Sequence, residues 1–403
     1  MKYPSPHNPA APPPDTASPA VVPLAVVLTL AMTLPMLILY AIGALGPYLV
    51  RDLDIPVRWL GYVTTSTFAV AALLSLGAGP VTERLGARRA LLLLFCSVAL
   101  AYAAIVSTRS FAGIVAAAAI CGIAQALSNP VTNLLIAQRV APARKAFVVG
   151  LKQAGVQLGA LFAGLVFPPL AAACGWRTTL VLSAIAALLV AAASTRIVAA
   201  GATRPPRPFA LARPNGLLLR LMGIQGCAGV VLSAFVTFLP VFATHRGLPP
   251  AEAGALVALF GAMGIVSRLV LTPLGARLRD ESILLAVLFA IAALAILLAV
   301  ADGGATPARL WSGAALIGLS AVATNAVAMS MVVRDPSFGG AASASGLLSA
   351  GFFAGFAVGP TALGLLAGTR LGLAGAFALP GGAALLGAIA SIVLRQARRA
   401  VAV

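Results

Sequence analysis

The sequence predicts an all-α integral membrane fold, with about twelve transmembrane helices built as two pseudo-symmetric six-helix bundles. Three observations predict it: an apolar composition, apolar runs of spanning length, and an internal repeat. The chain of 403 residues is 61% hydrophobic and 9% charged, with a mean hydropathy of +1.04. A soluble domain carries about 25% charged residues. So much apolar surface cannot be hidden inside a soluble core of this size, so lipid has to solvate much of it.

A spanning helix needs about 20 apolar residues. Runs of that kind fall near 21–50, 57–80, 88–108, 112–138, 146–170, 177–198, 217–243, 252–274, 282–300, 309–333, 341–366 and 375–394. Residues 1–20 are rich in Pro and Ala, with Pro12, Pro13 and Pro14 in a row, and read as a disordered tail. No compact basic segment leads into a short apolar core with a cleavage site, so the first apolar run reads as an uncleaved span. The expected units are therefore a tail at 1–20, a bundle at 21–198, a linker at 199–216, a second bundle at 217–394 and a tail at 395–403.

Basic residues set the expected orientation. Of the 27 Lys and Arg, 18 fall in the segments that share a side with both termini, 7 in the alternate segments and 2 inside spans. This asymmetry predicts cytoplasmic termini. The net charge of +18 does not indicate nucleic acid, because the charges lie between apolar runs and form no contiguous basic face. The preference for Arg over Lys hints at a bacterial source.

The repeat has two registers. A shift of 193 residues carries Pro47, Pro56, Gly61, Pro80 and Arg84 onto Pro240, Pro249, Gly254, Pro273 and Arg277. A shift of 196 carries Gly122, Ser128 and Asn129 onto Gly318, Thr324 and Asn325. It also carries Gly150, Gly155 and Gly159 onto Gly346, Gly351 and Gly355. A constant offset through several uncommon residues predicts two bundles related by an axis along the membrane normal. In parallel repeats of this type, a substrate site lies at the repeat interface near the midplane.

Between the second and third runs the chain reads Gly79-Pro-Val-Thr-Glu83-Arg84-Leu-Gly86-Ala-Arg88-Arg89. This stretch resembles the loop signature of the major facilitator superfamily, and with twelve spans and the repeat the resemblance covers essentially the whole chain. It implies a secondary transporter of a small solute working by alternating access in the cell inner (plasma) membrane, without catalytic residues, and as a monomer. Glu83 is expected to pair with an Arg of a neighbouring segment and latch the inner face. Ala276 holds the matching position in the second half, so the latch is asymmetric.

Proton-coupled multidrug exporters of the family are the alternative. They carry an Arg where this chain has Ala118, and a Gly-Pro pair followed by a Gly pair that is missing around Gly159–Gly164. The stretch Gly150-Leu-Lys152-Gln153-Ala-Gly155, with Gly175-Trp176-Arg177 downstream, is similar to bacterial cyanate-permease-like members. Arg268 resembles the span-eight Arg that binds carboxylate in small organic anion carriers.

An ionised side chain at a helix centre costs about 2.5–3.5 kcal/mol on insertion scales. Lys152 and Arg268 are the two basic residues well inside spans, away from the span ends, and no acid lies deep within a span to offset them. Snorkelling toward the nearer face is the plain reading of such residues. The sharper one is an anionic substrate that supplies the counter-charge, held by Arg through a bidentate fork. Gln125, Asn129 and Asn133 recur every four residues and share one helix face, and Asn325 repeats Asn129. Gln153 neighbours Lys152, and Tyr40 offers a hydroxyl from the first span. The expected binding set is Lys152, Arg268, Asn129, Asn325, Gln153 and Tyr40. Gly155 and Gly159, with Gly351 and Gly355, read as helix-packing faces.

Four scattered cysteines and two histidines make no metal or redox motif, and no Walker-type loop is present. No cofactor and no metal are expected.

Overall fold

The computed structural model describes residues 21–199, 213–276, 278, 280–301, 307–339 and 341–401. Residues 1–20, most of the 199–216 linker, Arg277 and Arg279 lie outside them. Thirteen α-helices are described: α1 Val21–Leu53, α2 Leu60–Ser75, α3 Ala78–Ser107, α4 Phe111–Arg139, α5 Pro142–Cys174, α6 Trp176–Ile197, α7 Gly216–His245, α8 Pro250–Ala276, α9 Glu281–Val300, α10 Pro307–Arg334, α11 Ala341–Ala367, α12 Gly372–Ala376 and α13 Ala378–Val401. Twelve candidate spans result, since α12 and α13 together make the last. The first span starts, and the last span ends, on one side, here the terminal face; the other is the distal face.

Three boundaries differ from the sequence expectation. α2 stops at Ser75, and α3 starts at Ala78 rather than 88. The motif expected as a loop is thus helical up to Gly86, where φ is 73°. L side chains rarely adopt that conformation, so a glycine there breaks the helix at low cost. At the other end, α13 runs on through Val401, so most of the expected tail at 395–403 is helix.

Exposed side chains mark what lipid covers. Leu182, Ile185, Leu188 and Leu189 leave one face of α6 bare, and Leu385, Leu386, Ile389, Ile392 and Val393 do so on α13. In its most apolar stretch α6 is 33% buried and α7 is 83% buried, which places α7 at the centre and α6 at the rim. Apolar side chains gain nothing by leaving lipid, so helix contacts rest on close packing and hydrogen bonds. The hydroxyls of Thr29, Thr82, Ser128 and Ser391 accordingly donate to the carbonyl four residues back.

Contact between the bundles follows the repeat. The space beside Gly61 on α2 is filled by the backbone of Pro360 and Thr361 on α11. The space beside Gly254 on α8 is filled by Pro168 and the Gly164 carbonyl on α5. Gly254 is Gly61 shifted by 193, and Pro360 is Gly164 shifted by 196, so one contact occurs twice. Two turns further in, Phe68 meets Phe353 and Phe356, with centroids 5.8 and 4.7 Å away. Its counterpart Gly261 instead lies against Gln157, Ala160 and Leu161. Thr65 bonds the Ala357 carbonyl and the Thr361 hydroxyl, the latter at 2.6 Å. The Gly61 and Gly254 contacts lie toward the distal ends of α2 and α8, and the Phe68 and Gly261 contacts near the middle of the spans. Gly150 and Gly346, another repeat pair but near the terminal face, have open space beside them. The bundles are therefore locked together distally.

The glycines read from the sequence as packing faces do pack, within their own bundles. Gly155 abuts Thr29 of α1, and Gly351 and Gly355 abut Met222 and Gly226 of α7, each inside its own bundle. Each of these three glycines packs a bundle internally, while Gly61, Gly164, Gly254 and Gly261 serve the interface.

Candidate functional site

A cavity of about 60 Å³, room for about four waters, sits where the bundles meet. α1, α4 and α5 supply one wall, and α7, α8, α10 and α11 the other. Tyr40, Asn129, Gln153, Arg268 and Asn325 all line it. Repeat mates face each other across it: Asn129 with Asn325, and Gln153 with Ser349. The second half contributes an aromatic wall of Phe352, Phe353 and Phe356.

Lys152 does not line the cavity. It is 1% exposed, and its Nζ donates to Asn133 Oδ1 at 2.6 Å, Thr132 Oγ1 at 2.8 Å and Asn129 Oδ1 at 3.4 Å. The helix explains this. Gln153, Val156 and Gln157 share a face by their i, i+3, i+4 spacing, whereas Lys152 is turned about 100° away toward α4. Neither snorkelling nor direct exposure to the cavity describes it; it is a buried ammonium caged by neutral oxygens.

Arg268 crosses the interface. Its Nη1 donates to Gln153 Oε1 at 3.0 Å, joining α8 of the second bundle to α5 of the first. Gln153 Nε2 donates in turn to Asn129 Oδ1 at 3.4 Å, which Lys152 also reaches. One polar chain thus runs from Lys152 through Asn129 and Gln153 to Arg268. Arg268 Nε is buried without a partner. No Asp or Glu is among the described residues that line the cavity.

Other amides hold the walls. Gln125 Nε2 donates to the Pro35 carbonyl at 3.2 Å, tying α4 to α1. Asn325 Nδ2 donates to Gln225 Oε1 at 3.0 Å, and Gln225 donates on to the Thr324 carbonyl. Sequence reasoning missed Gln225, Ser349 and above all Gln157. Gln157 is 3% exposed, lines the cavity, and keeps its Oε1 unpartnered. Its position one turn from Gln153 was the available signal.

The loop motif forms no latch here. Among the described residues Glu83 makes no ion pair, as expected when the terminal ends are apart. The terminal face instead carries a charge cluster within the second bundle. Arg398 donates to Asp280 at 2.9 Å and to Asp335 at 2.8 Å, while Arg334 pairs with Glu281 at 3.0 Å. Gly79 has nothing beside it, and Arg84 and Arg89 are exposed.

Comparison with known proteins matches this architecture. The family model of the Major Facilitator Superfamily matches residues 27–347. No curated protein matches the chain. Among solved structures it is similar to a bacterial homolog of the human lysosomal transporter Spinster, in an inward-facing and occupied conformation. That match has 17% identity and a TM-score of 0.69 and covers 94% of this chain and 96% of the other. The unoccupied inward-facing form gives 16% identity, the same coverage and the same score. With twelve spans, paired bundles and a shared central cavity, the chain belongs to the major facilitator superfamily and is a multi-pass membrane transporter, not an enzyme.

Proposed function

We propose that this transporter carries a small organic anion, bound between the bundles by Arg268 and released by rocking of one bundle against the other. The observation that carries the reading is the Arg268 guanidinium on the cavity wall, with one neutral amide as its partner and a buried Nε–H that has none. A carboxylate fits that edge with charge-assisted bonds. Asn129, Asn325, Gln153 and Tyr40 orient it. Lys152 adds a second positive charge from behind the wall. The likeness of the Gly150–Gly155 stretch to cyanate-permease-like carriers supports the same class. By the distribution of basic residues the terminal face is cytoplasmic, in a bacterial plasma membrane, and the single chain contains the whole site.

Uptake of labelled formate, acetate, pyruvate, oxalate and cyanate into proteoliposomes tests this. Saturable uptake of at least one is expected, with loss in the Lys152→Ala, Arg268→Ala double variant. Normal uptake in that variant would refute the site. The aromatic wall and the methionines Met32, Met36 and Met329 favour a second reading, export of apolar drugs. Drug resistance on overexpression, unaffected by the two cation substitutions, would establish that reading instead.

A further inference from the structure

Two buried polar groups at the cavity are left over once every hydrogen bond is assigned. One is a donor, Arg268 Nε–H, and the other an acceptor, Gln157 Oε1. A buried acceptor without a partner is costly, and native structures leave few of them unexplained. Gln157 is also held in place. A Cβ at Gly264 would lie 2.8–2.9 Å from its Cγ, Cδ and Oε1, and Gly261 packs against its backbone. The carbonyl oxygen is thus held beside the cavity, buried and without a partner. Its repeat mate is Phe353, so the acceptor exists on one wall only.

The spacing gives a ruler. Gln153, which touches Arg268, and Gln157 lie four residues apart on α5, about 6 Å along the helix axis. A ligand that bridges groups one helical turn apart is short, with its anionic end and a hydrogen-bond donor on nearby carbon atoms. The remaining wall, Phe352, Phe353, Phe356, Val236 and Leu232, suits a small apolar body.

We infer that Gln157 is a specificity residue, and that the preferred substrate is a small carboxylate bearing a hydroxyl donor on its second or third carbon. This rests on the anion reading above and narrows it. The carboxylate takes the free edge of Arg268, and the hydroxyl donates to Gln157 Oε1. A plain acid leaves that acceptor unpaired, and a 2-oxo acid sets one acceptor against another.

Uptake of labelled propanoate, 2-hydroxypropanoate and 2-oxopropanoate by the full chain in proteoliposomes tests it. The 2-hydroxy acid is expected to show uptake efficiency about tenfold above both others, the size of one unmade buried hydrogen bond. Gln157→Met, which keeps length and removes the acceptor, should bring the three acids to within about twofold. Equal handling by the wild type overturns the inference and leaves the anion reading standing; it would mean that Gln157 and Arg268 satisfy each other. Unchanged discrimination in Gln157→Met, with a thermal transition like the wild type, also overturns it. No saturable uptake of any of the three overturns the inference together with the choice of a small carboxylate.

Discussion

Adding one methyl group at Gly254 should open the distal face. The change Gly254→Ala places a Cβ against Pro168 and 2.7 Å from the Gly164 carbonyl oxygen, both on the opposite bundle. Neither neighbour is the end of a flexible side chain. Carbon and oxygen need more than 3 Å, so the helices have to separate by a few tenths of an ångström or the bundles rock apart. Overpacking of this kind costs about 1–3 kcal/mol. The cost falls only on the distally closed state, since α5 and α8 part there when that face opens. A penalty of ~2 kcal/mol shifts the ratio of closed to open states about 30-fold toward open. The repeat supplies a second instance: Gly61→Ala meets the Pro360 backbone at 2.6 Å and Thr361 N at 2.8 Å. The assay is a pair of spin labels across the distal face, one on the exposed native Cys174 and one on Arg370→Cys, with Cys96 and Cys227 replaced by Ser. The wild type should give one short distance. Each alanine variant should add a longer population, and the double variant more of it. An unchanged distribution in a folded double variant would refute the claim that these contacts hold the distal face shut.

Two further results are expected. Lys152→Met should weaken anion transport by about tenfold, well short of Arg268→Met, because Lys152, three hydrogen bonds from Arg268, acts through the field of its charge rather than by contact; dose–response curves on the two variants check the ranking. At the terminal face, Arg398→Met should lower thermal stability by on the order of 1 kcal/mol, since the pairs it makes are partly exposed. Part of that stability depends on pH. Burial alone would raise the Asp335 carboxyl, but hydrogen bonds from Ser337 and Arg398 outweigh it and hold the group below its ordinary value of 3.8. A depressed carboxyl stabilises fully above the unfolded value and loses its contribution as pH falls below it. Melting curves between pH 6 and pH 3 should therefore converge for the wild type and Arg398→Met at the acid end; curves that stay parallel would exclude Asp335 as the partner that matters.

The repeat was the most informative feature of the sequence, and it explains more than span count. Gly61 and Gly254 matched by offset alone, and the structure gives them the same task against Pro360 and Gly164. Five of the six expected binding residues reach one cavity because each lies on a helix that the repeat places at the interface. The misplacements share a cause. A sequence shows which residues are rare in a lipid-facing helix, but not which neighbour each one turns to. Adjacent residues such as Lys152 and Gln153 point about 100° apart, and here Gln153 turns to the cavity while Lys152 turns to α4. Gly155 and Gly351 do pack as their small-residue spacing implies, while the partner, α1 or α7, is fixed only by three-dimensional packing. Gln157 escaped notice because its position reads as an ordinary polar interruption; its unpaired oxygen is visible only in the fold.

The terminal face shows the same limit. Glu83 carries the family signature, yet a latch forms only when its partner segment approaches, and in this conformation the open space is on that side. Arg398, in what reads as a charged tail, instead continues α13 and reaches Asp280 and Asp335, residues 118 and 63 positions away.

The most direct test of the central claim is crystallographic: locating the bromine of 3-bromopropanoate by anomalous scattering in crystals of the wild type and of Arg268→Met. The account predicts a single bromine peak inside the cavity between α5, α8 and α11, with the carboxylate on Arg268, and its loss in Arg268→Met. A peak that persists in the variant, or one seated away from Arg268, would contradict it.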